Sequence, residues 1–337
     1  MGEYTNKGIF SLKTLDFDAT SSEKKTFEVD GKKVQSQFSI SRILSTKILE
    51  PPINLNSILS FEFESTNNYD FILKLWYIAK EFIRFLCYRK NVFLPTADLS
   101  SLSENGKYEH FATLYILGED DKVEEEILKK GRHIKYSYIS GCEERILTDI
   151  ANNLLYTRHF PTTYKQRRHI DVARFIMIIT AFEWEFRRAY PTGVPKKEST
   201  IQTENVAMET LQSLINSSGG KLKKKYQFLK KLIKNDSLET EIVHIGKDYD
   251  DIIGPFGKYI YRLNKEEFNY AKIGKRLAEQ RNRFAHGKLD KEFIDAALLD
   301  LIYLEYIIYA MQLRYYGVED INIQRSINDL FGCNFAI

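Results

Sequence analysis

Residues 268–286, FNYAKIGKRLAEQRNRFAH, carry the pattern that decides the fold of the second half of the chain. Ile273, Leu277 and Phe284 recur at the spacing of one face of an α-helix. Arg281 falls on the same face, because it lies four residues after Leu277 and three before Phe284. An apolar stripe interrupted by one charge predicts a helix that packs in a core and needs a polar partner at that point.

Helical periodicity continues through the second half of the chain, from about residue 142. Apolar residues recur there at three- and four-residue spacing, separated by a loop at 191–199 and a breaker at 217–220. The predicted helices cover 142–157, 165–190, 200–217, 221–234, 268–286, 290–316 and, as a short one, 320–331. Glycines and a proline between 235 and 265 predict only short helical pieces there. We expect residues 142–337 to form an all-α bundle.

The first part of the chain has a mixed pattern. Leu59, Phe61 and Phe63 alternate with polar residues, as do the apolar residues of 134–138, and a period of two is typical of half-buried strands. Asp30-Gly31 is a hairpin signal. Weaker strands are predicted around 25–29, 34–40 and 110–117, and one long helix over about 70–89. We expect residues 1–141 to form an α+β domain with an antiparallel sheet.

The composition is that of an ordinary globular protein large enough for two domains. The 337 residues are 43% hydrophobic and 28% charged, and the net charge of +3 is too small to indicate nucleic-acid binding by itself. The first ten residues contain no apolar signal region. The most apolar stretches, 71–88 and 293–316, each include several charged residues, so both predict core helices and no membrane span.

Three cysteines, Cys87, Cys142 and Cys333, are scattered through the chain. An odd, sparse set fits reduced thiols in the cytoplasm. Neither the cysteines nor the histidines have the spacing of a metal site, and no glycine-rich phosphate loop occurs. We therefore expect a cytoplasmic protein that uses neither a metal nor another cofactor.

A second charge interrupts an apolar stripe in the predicted helix 165–190. Glu183 lies among Ile176, Ile179, Phe186 and Tyr190 at helical spacing. Since a charge in a core face requires a partner, the sequence predicts one buried ion pair between Glu183 and Arg281. Two interpretations are compatible with this pair. It locks two helices together, or it also fixes the guanidinium of an arginine that acts on a ligand.

A histidine follows Arg281 at the end of the same helix. His286 lies five residues after Arg281, and Gly287 supplies a helix stop. Asn282 and Arg283 share the helix side of His286. Arginine holds a phosphate as a permanent cation and histidine moves a proton near neutral pH, which suits RNA cleavage without a metal. The alternative is a surface histidine that interacts with the helix dipole.

The run Arg281-Asn282-x-x-Ala285-His286-Gly287 resembles the motif of the HEPN superfamily. The setting adds to this likeness, because Glu183 stands on a preceding helix and a long apolar helix follows. The chain is particularly similar to Apea-like HEPN proteins, which join a strand-rich N-terminal domain to a C-terminal HEPN bundle and are implicated in bacterial defence against phage. The resemblance implies that residues 142–337 are a HEPN-like all-α domain.

The resemblance also implies an activity and a partner. HEPN proteins are usually symmetric dimers in which two motifs face one cleft, and they cleave RNA without a metal. Arg281 would hold the phosphate, and His286 would act as base or acid. Asn282 would assist, with Glu183 and Arg283 in support. Attack by the 2′-hydroxyl would leave a 2′,3′-cyclic phosphate. We expect an RNA substrate, tRNA being a candidate, and an N-terminal domain that senses a phage-derived trigger in abortive infection.

Two basic clusters are candidates for contact with the RNA backbone. One is the lysine run at 221–234, and the other opens the helix predicted over 165–190. The residues concerned are Lys223, Lys224, Lys225, Arg167 and Arg168. The alternative for the lysines is the solvated face of an amphipathic helix. Its buried side would then consist of Leu222, Tyr226, Leu229 and Ile233.

Two competing hypotheses remain beside the ribonuclease. The first is a non-catalytic HEPN module that dimerises or binds a nucleotide or a protein. The second is a purely structural interaction protein in which Glu183 and Arg281 form a core pair. The presence of Arg281, Asn282 and His286 together favours the enzyme, because a site without catalysis has no need of all three.

Overall fold

A computed structural model describes residues 3–4, 10–11, 20–44, 53–116, 130–233, 236–286 and 293–335. The chain forms two compact units that interleave in sequence. The first contains Met1–Leu86, Asn91–Val123 and Ser140–Leu155, and the second contains Cys87–Lys90, Glu124–Ile139 and Tyr156–Ile337. The predicted order, an antiparallel sheet region followed by a helical region, is confirmed.

The strands that the structure describes in the first unit are all paired antiparallel. They are β1 (Glu3–Tyr4), β2 (Phe10–Ser11), β3 (Thr20–Ser21), β4 (Lys25–Val29), β5 (Lys32–Leu44), β6 (Ile53–Phe63), β7 (Thr96–Leu102) and β8 (Tyr108–Tyr115). β5 is central, with β6 along one edge and β4 and β3 along the other. β1 pairs with β2, and β7 pairs with β8.

The hairpin predicted at Asp30-Gly31 is confirmed between β4 and β5. Both turn residues have positive φ, 50° at Asp30 and 76° at Gly31, as a tight two-residue turn requires. Phe27 stands opposite Val34 across the ladder, and both side chains are buried. The hairpin therefore sets the register that turns the apolar residues of both strands to one side.

The long helix predicted over 70–89 is confirmed as α1 (Tyr69–Cys87). Its buried face contacts the sheet through aromatic rings. The centroids of Phe71 and Phe63 are 5.5 Å apart, and those of Phe82 and Phe38 are 5.4 Å apart. One face of the sheet is thus covered by a helix, which is the usual arrangement of an α+β unit.

The strand predicted over 134–138 is wrong. Residues Tyr136–Ile139 form a single helical turn, α2, which belongs to the second unit. Ile134 and Ile139 are the buried residues, and the amide of Tyr138 donates to the carbonyl of Lys135 over 3.0 Å. Five residues are too few for their periodicity to distinguish a strand from a turn of helix.

The helix predicted over 142–157 is shorter than expected and packs in the first unit. It is α3 (Glu143–Ala151), and it ends before Asn153, whose φ of 56° is left-handed. Ile146 and Leu147 are buried, and α3 packs against β4. The structure therefore places α3 with the sheet, although it lies after the domain boundary predicted at residue 141.

The second unit is helical. After a short 3₁₀ turn (Lys165–Arg168) its helices are α4 (Val172–Ala189), α5 (Glu198–Ser217), α6 (Gly220–Ile233), α7 (Leu238–Asp248), α8 (Asp250–Leu263), α9 (Tyr270–Ala285), α10 (Ala297–Tyr316) and α11 (Asp320–Phe331). The central helix, α10, packs against α4, α8, α9 and α11. Among the described residues, no helix is both long and apolar enough to cross a bilayer.

Two carboxylates of α10 are fully buried and held by arginines. Arg276 donates to both oxygens of Asp300, over 2.6 and 2.7 Å. Arg174 donates to Glu305 over 2.6 Å, and the Tyr88 hydroxyl donates to the same oxygen. Burial nevertheless holds the pKa of Glu305 well above its ordinary value. These pairs fix α4 and α9 to the central helix, since a buried charge requires its partner.

The short pieces predicted between 235 and 265 are wrong, because two regular helices, α7 and α8, occupy this segment. Gly246 and Gly257 are close-packing positions rather than breaks, since a Cβ there would overlap the rings of Tyr270 and Phe268. Pro255 cannot donate to the carbonyl of Asp251. The side chain of Gln324 supplies a donor to that carbonyl, over 2.9 Å.

The buried side predicted for α6 is also wrong. Leu222 and Leu229 are 51% and 42% exposed, and none of the residues of α6 is buried. The principal neighbour of α6 is α5, with which it forms a helical hairpin. A single neighbouring helix covers only a narrow stripe, so most of the perimeter of α6 faces solvent. Phe228 and Leu232 are exposed as well.

Candidate active site

α9 carries the motif, and its local structure follows from the sequence. The side chain of Asn269 caps its start by accepting from the amides of Ala271 and Lys272. The predicted apolar stripe is confirmed, because Ile273, Leu277 and Phe284 are buried. The helix ends at the exposed His286, whose amide donates to the carbonyl of Asn282 over 3.1 Å. Gly287, the predicted stop, lies outside the described residues.

The predicted partnership of Glu183 and Arg281 is confirmed. Nη1 of Arg281 donates to Oε1 of Glu183, which joins α9 to α4. The prediction that the pair is buried is wrong, because the side chains of Arg281 and Glu183 are 37% and 23% exposed. The guanidinium therefore keeps access to solvent while one of its nitrogens is held.

The exposure of Glu183 follows from the orientation of α4. The core face of α4 is formed by Phe175, Ile178, Ile179, Phe182 and Phe186. Ile179 and Phe186 of the predicted stripe are therefore buried, whereas Ile176 and Tyr190 are half-buried. On that face the buried acid is Glu185, which accepts from Arg188 over 3.1 Å and from Gln312 over 3.0 Å. The sequence signal for a buried Glu185 is its position three residues after Phe182 and one residue before Phe186, on the apolar face of the helix.

Arg281 and Glu183 lie on the wall of a cavity of about 760 Å³, a volume typical of ligand sites. The wall is built by α4, α6, α7, α9 and the loops that follow α4 and α6. Its charged residues are Glu183, Arg187, Lys196, Asp236, Glu241 and Arg281, and its apolar residues include Phe186, Leu232 and Leu238. The cavity thus combines apolar surface with convergent charges.

Glu241 is one of the charged cavity residues that the sequence interpretation missed, together with Arg187, Lys196 and Asp236. It is 9% exposed, and its Oε2 has no hydrogen-bond partner among the residues that the structure describes. Burial, followed by the nearby charge of Glu183, raises its pKa to about 7, against the opposing charges of Arg187 and Arg281. The signal was its position beside Leu238, Ile242 and Ile245 on the apolar face of α7.

The loop that follows α4 is fixed at the cavity wall by ion pairs. Lys196 contacts Glu204 over 2.8 Å and Asp236 over 3.7 Å. Asp236 also accepts from the amide of Val194 over 2.7 Å. Lys196 and Asp236 thus stabilise the loop through these contacts. Arg187, in contrast, is exposed and shows no ion pair within the described ranges.

The remaining predicted residues lie at different places. Asn282 is exposed and Arg283 half-buried at the end of α9, and His286 is not among the residues that line the cavity. Lys223, Lys224 and Lys225 are exposed on α6. The structure therefore brings together Arg281 and Glu183, and it leaves His286 outside the cavity wall, directly after the end of α9.

The arginines of the second basic cluster differ from each other. Arg168 is exposed. Arg167 is half-buried, with its guanidinium 4.3 Å from the centre of the Tyr164 ring and a hydrogen bond of 3.4 Å to the carbonyl of Leu330. Burial lowers the pKa of Arg167 from its ordinary value. Arg167 thus has a packing role within the helical unit.

Comparisons of this chain with protein-family models, with curated proteins and with solved structures find no match.

Proposed function

We propose that this protein is a metal-independent endoribonuclease of the HEPN type, with RNA, tRNA being a candidate, as its substrate. One observation carries the proposal. Arg281 is held by Glu183 on the wall of a solvent-accessible cavity, and the exposed His286 follows it by five residues, directly after the end of α9. A fixed cation and a group that transfers a proton are the two components that phosphodiester cleavage by the 2′-hydroxyl requires.

Each residue has a role in the proposed reaction. The guanidinium of Arg281 binds the scissile phosphate through the nitrogens that Glu183 does not use, and Glu183 holds its fork in place. His286 accepts the proton of the attacking 2′-hydroxyl. Asn282 orients His286 or binds a phosphate oxygen. Products are a 2′,3′-cyclic phosphate and a 5′-hydroxyl.

The biological setting is part of the same proposal. The protein acts in the cytoplasm as an abortive-infection defence against phage, as a homodimer through the helical unit. The sheet-bearing unit senses the trigger and regulates the nuclease. Exposed basic residues support RNA binding, namely Lys223, Lys224, Lys225 and Arg168.

The experiment that tests the proposal is incubation of purified protein with tRNA in EDTA. We expect cleavage by the wild type and none by His286→Ala. His110→Ala is the matched control, because His110 is also exposed but lies on β8 of the first unit. Cleavage by a folded His286→Ala protein at the wild-type rate would reject the assignment, as would an inactive wild type that is dimeric and supplied with phage-infected extract.

Dimerisation is tested separately by analytical ultracentrifugation at micromolar concentration. A two-fold dimer presents a second His286 to the cleft, which would supply the second proton transfer. We expect a dimer whose dissociation by dilution reduces cleavage. A monomer with full activity would exclude a shared cleft.

One observation favours a second candidate, a non-catalytic module that binds a protein or a nucleotide. The α5–α6 hairpin exposes Leu222, Phe228, Leu229 and Leu232 beside its lysines. Exposed apolar side chains in one element are typical of an interaction surface. This candidate predicts a partner that binds the protein equally well after His286→Ala, without RNA cleavage by either form.

A further inference from the structure

Arg281 shares its cavity with a buried carboxyl group rather than with His286. Glu241 and Arg281 both line the wall, although they stand on different helices, α7 and α9. The two helices pack together, with Gly274 of α9 against the backbone of Glu239. A phosphate bound by Arg281 would therefore lie in the space that Glu241 also faces.

One oxygen of the Glu241 carboxyl, Oε2, has no role in the fold of the described residues. The other acids of the cavity already have partners. Glu183 pairs with Arg281, and Asp236 pairs with Lys196 and accepts from the amide of Val194. Glu241 is 9% exposed, and within the described part of the chain its Oε2 has neither a donor nor a cation in contact. A buried polar group without a partner is costly and rare, and a catalytic role is one of the physical reasons for which a protein retains it.

We propose that Glu241 is the general acid of this site and that it protonates the leaving 5′-oxygen of an RNA phosphodiester held by Arg281. The inference rests on the proposed ribonuclease function and deepens it. Glu241 would supply, within one chain, the proton transfer that the second His286 of a dimer would otherwise provide, so His286 needs to act only as the base.

The surroundings of Glu241 suit a proton donor. Glu183 and Arg187 face it from α4, Arg281 faces it from α9, and Asp236 faces it from the loop before α7. Burial and the two acids outweigh the two arginines, so its pKa rises to about 7 and the protonated form persists near neutral pH. An acid works best when its pKa lies near the working pH.

The reaction balances with these two groups. The 2′-oxygen attacks phosphorus and forms the new P–O bond while its proton passes to His286. The P–O5′ bond breaks, and the carboxylic proton of Glu241 passes to the departing 5′-oxygen. The products are a 2′,3′-cyclic phosphate and a 5′-hydroxyl. Glu241 is left as a carboxylate and His286 as a cation, and exchange with water restores both.

The experiment compares wild type with Glu241→Gln on two substrates. One is RNA, whose 5′-alkoxide must be protonated to leave, and the other is uridine 3′-(4-nitrophenyl phosphate), whose leaving group needs no proton. Glu209→Gln on the exposed face of α5 is the matched control. Thermal melting verifies folding, and Gln preserves the size of the side chain.

The expected result is a difference between substrates. Glu241→Gln should lose roughly 10²–10⁴-fold in kcat on RNA and stay within a few-fold of wild type on the aryl ester. The fall of wild-type RNA cleavage as pH rises through about 7 should be absent from Glu241→Gln. Glu209→Gln should match wild type throughout.

Other results overturn the inference in distinguishable ways. Equal losses on both substrates would make Glu241 a binding or positioning residue. Wild-type kinetics for Glu241→Gln on RNA would remove Glu241 from the reaction and leave the ribonuclease assignment intact. A wild type inactive on both substrates would reject the ribonuclease assignment itself, and the role of Glu241 with it.

Discussion

At the scale of single residues, Arg281 and Glu241 show how burial changes the effect of a charge on stability. Arg281 is 37% exposed and already held by Glu183, so its charge remains partly hydrated. Glu241 is 9% exposed and unpaired at Oε2 within the described residues. The first residue can bind a ligand without great cost to stability, whereas the second destabilises the fold whenever it is ionised.

Arg281→Ala should abolish RNA cleavage with little loss of stability. Because the ion pair with Glu183 is half-exposed, its removal should cost about 0–1 kcal/mol of the free energy of unfolding. Urea denaturation followed by circular dichroism measures this. Arg281→Lys keeps the charge without the planar fork and should also lose activity. A loss of several kcal/mol for Arg281→Ala would show that the pair supports the core.

Glu241→Gln should stabilise the protein at alkaline pH. The folded pKa of about 7 exceeds the ordinary value of 4.5, so the folded state binds more protons between these values. Wild-type stability should therefore fall as pH rises through this window, by about 3 kcal/mol in total. A glutamine at position 241 does not titrate, so this contribution to the pH dependence of stability should be absent from the variant.

The measurement for Glu241→Gln is urea denaturation at pH 4.5, 6 and 8. The stability gained over wild type should grow with pH and level off above about pH 7. Glu209→Gln, at an exposed position, should show no comparable trend. A constant difference at all three pH values would contradict the raised pKa.

At the scale of elements, glycines determine how closely α7, α8 and α9 approach one another. A Cβ at Gly274 would lie 2.9 Å from the Cα of Glu239, which is backbone and cannot move aside alone. Cβ atoms at Gly246 and Gly257 would overlap aromatic rings. The cavity wall depends on this packing, since α7 carries Glu241 and α9 carries Arg281.

Gly274→Ala should therefore reduce both stability and activity. Forcing α7 away from α9 costs about 1–3 kcal/mol as overpacking, and this exceeds the gain in helix propensity. Displacing α7 also moves Glu241 relative to Arg281. Gly219→Ala is the matched control, because a Cβ there meets open space. Equal melting temperatures for the two variants would show that α7 and α9 have room for a methyl group at position 274.

At the scale of the whole molecule, the two units are not continuous in sequence. Cys87–Lys90 and Glu124–Ile139 precede residue 141 but belong to the helical unit. Tyr88 is fully buried there and donates to Glu305, while Ile134 and Ile139 are buried too. A cut at the predicted domain boundary would remove these residues from the helical unit.

A fragment beginning at Cys142 should accordingly be much less stable than the full chain. It leaves Glu305 without one of its two partners and removes buried apolar side chains, each of which contributes about 1.5–3 kcal/mol. Circular dichroism melting of the two proteins measures the difference. Tyr88→Phe in the full chain isolates the lost hydroxyl and should cost about 1–3 kcal/mol. A fragment that melts like the full protein would show that the segments Cys87–Lys90 and Glu124–Ile139 do not contribute to the stability of the helical unit.

Several features could be predicted from the sequence because they depend on neighbours within a few residues. The turn at Asp30-Gly31, the stripe of Ile273 and Leu277 and the long helix α1 all follow from local periodicity and turn chemistry. The pairing of Glu183 with Arg281 was also predictable, since two opposite charges had each interrupted an apolar stripe.

Other features depended on contacts that local patterns do not contain. The helix through Pro255 is completed by Gln324, about seventy residues later in the chain. The exposure of α6 follows from its having α5 as principal neighbour. The segment 134–138 was too short for its period to be decided. For Pro255 and for α6, contacts with another element decided what the local pattern left open.

The sequence by itself determined the fold class, the motif at the end of α9 and the partner of Arg281. Only the tertiary structure decided how exposed that pair is, that Glu241 shares its cavity, and that the segments around residues 87–90 and 124–139 join the helical unit. The physical reason is that periodicity specifies which face of a helix is apolar, whereas the dielectric surroundings of one side chain depend on every helix packed around it.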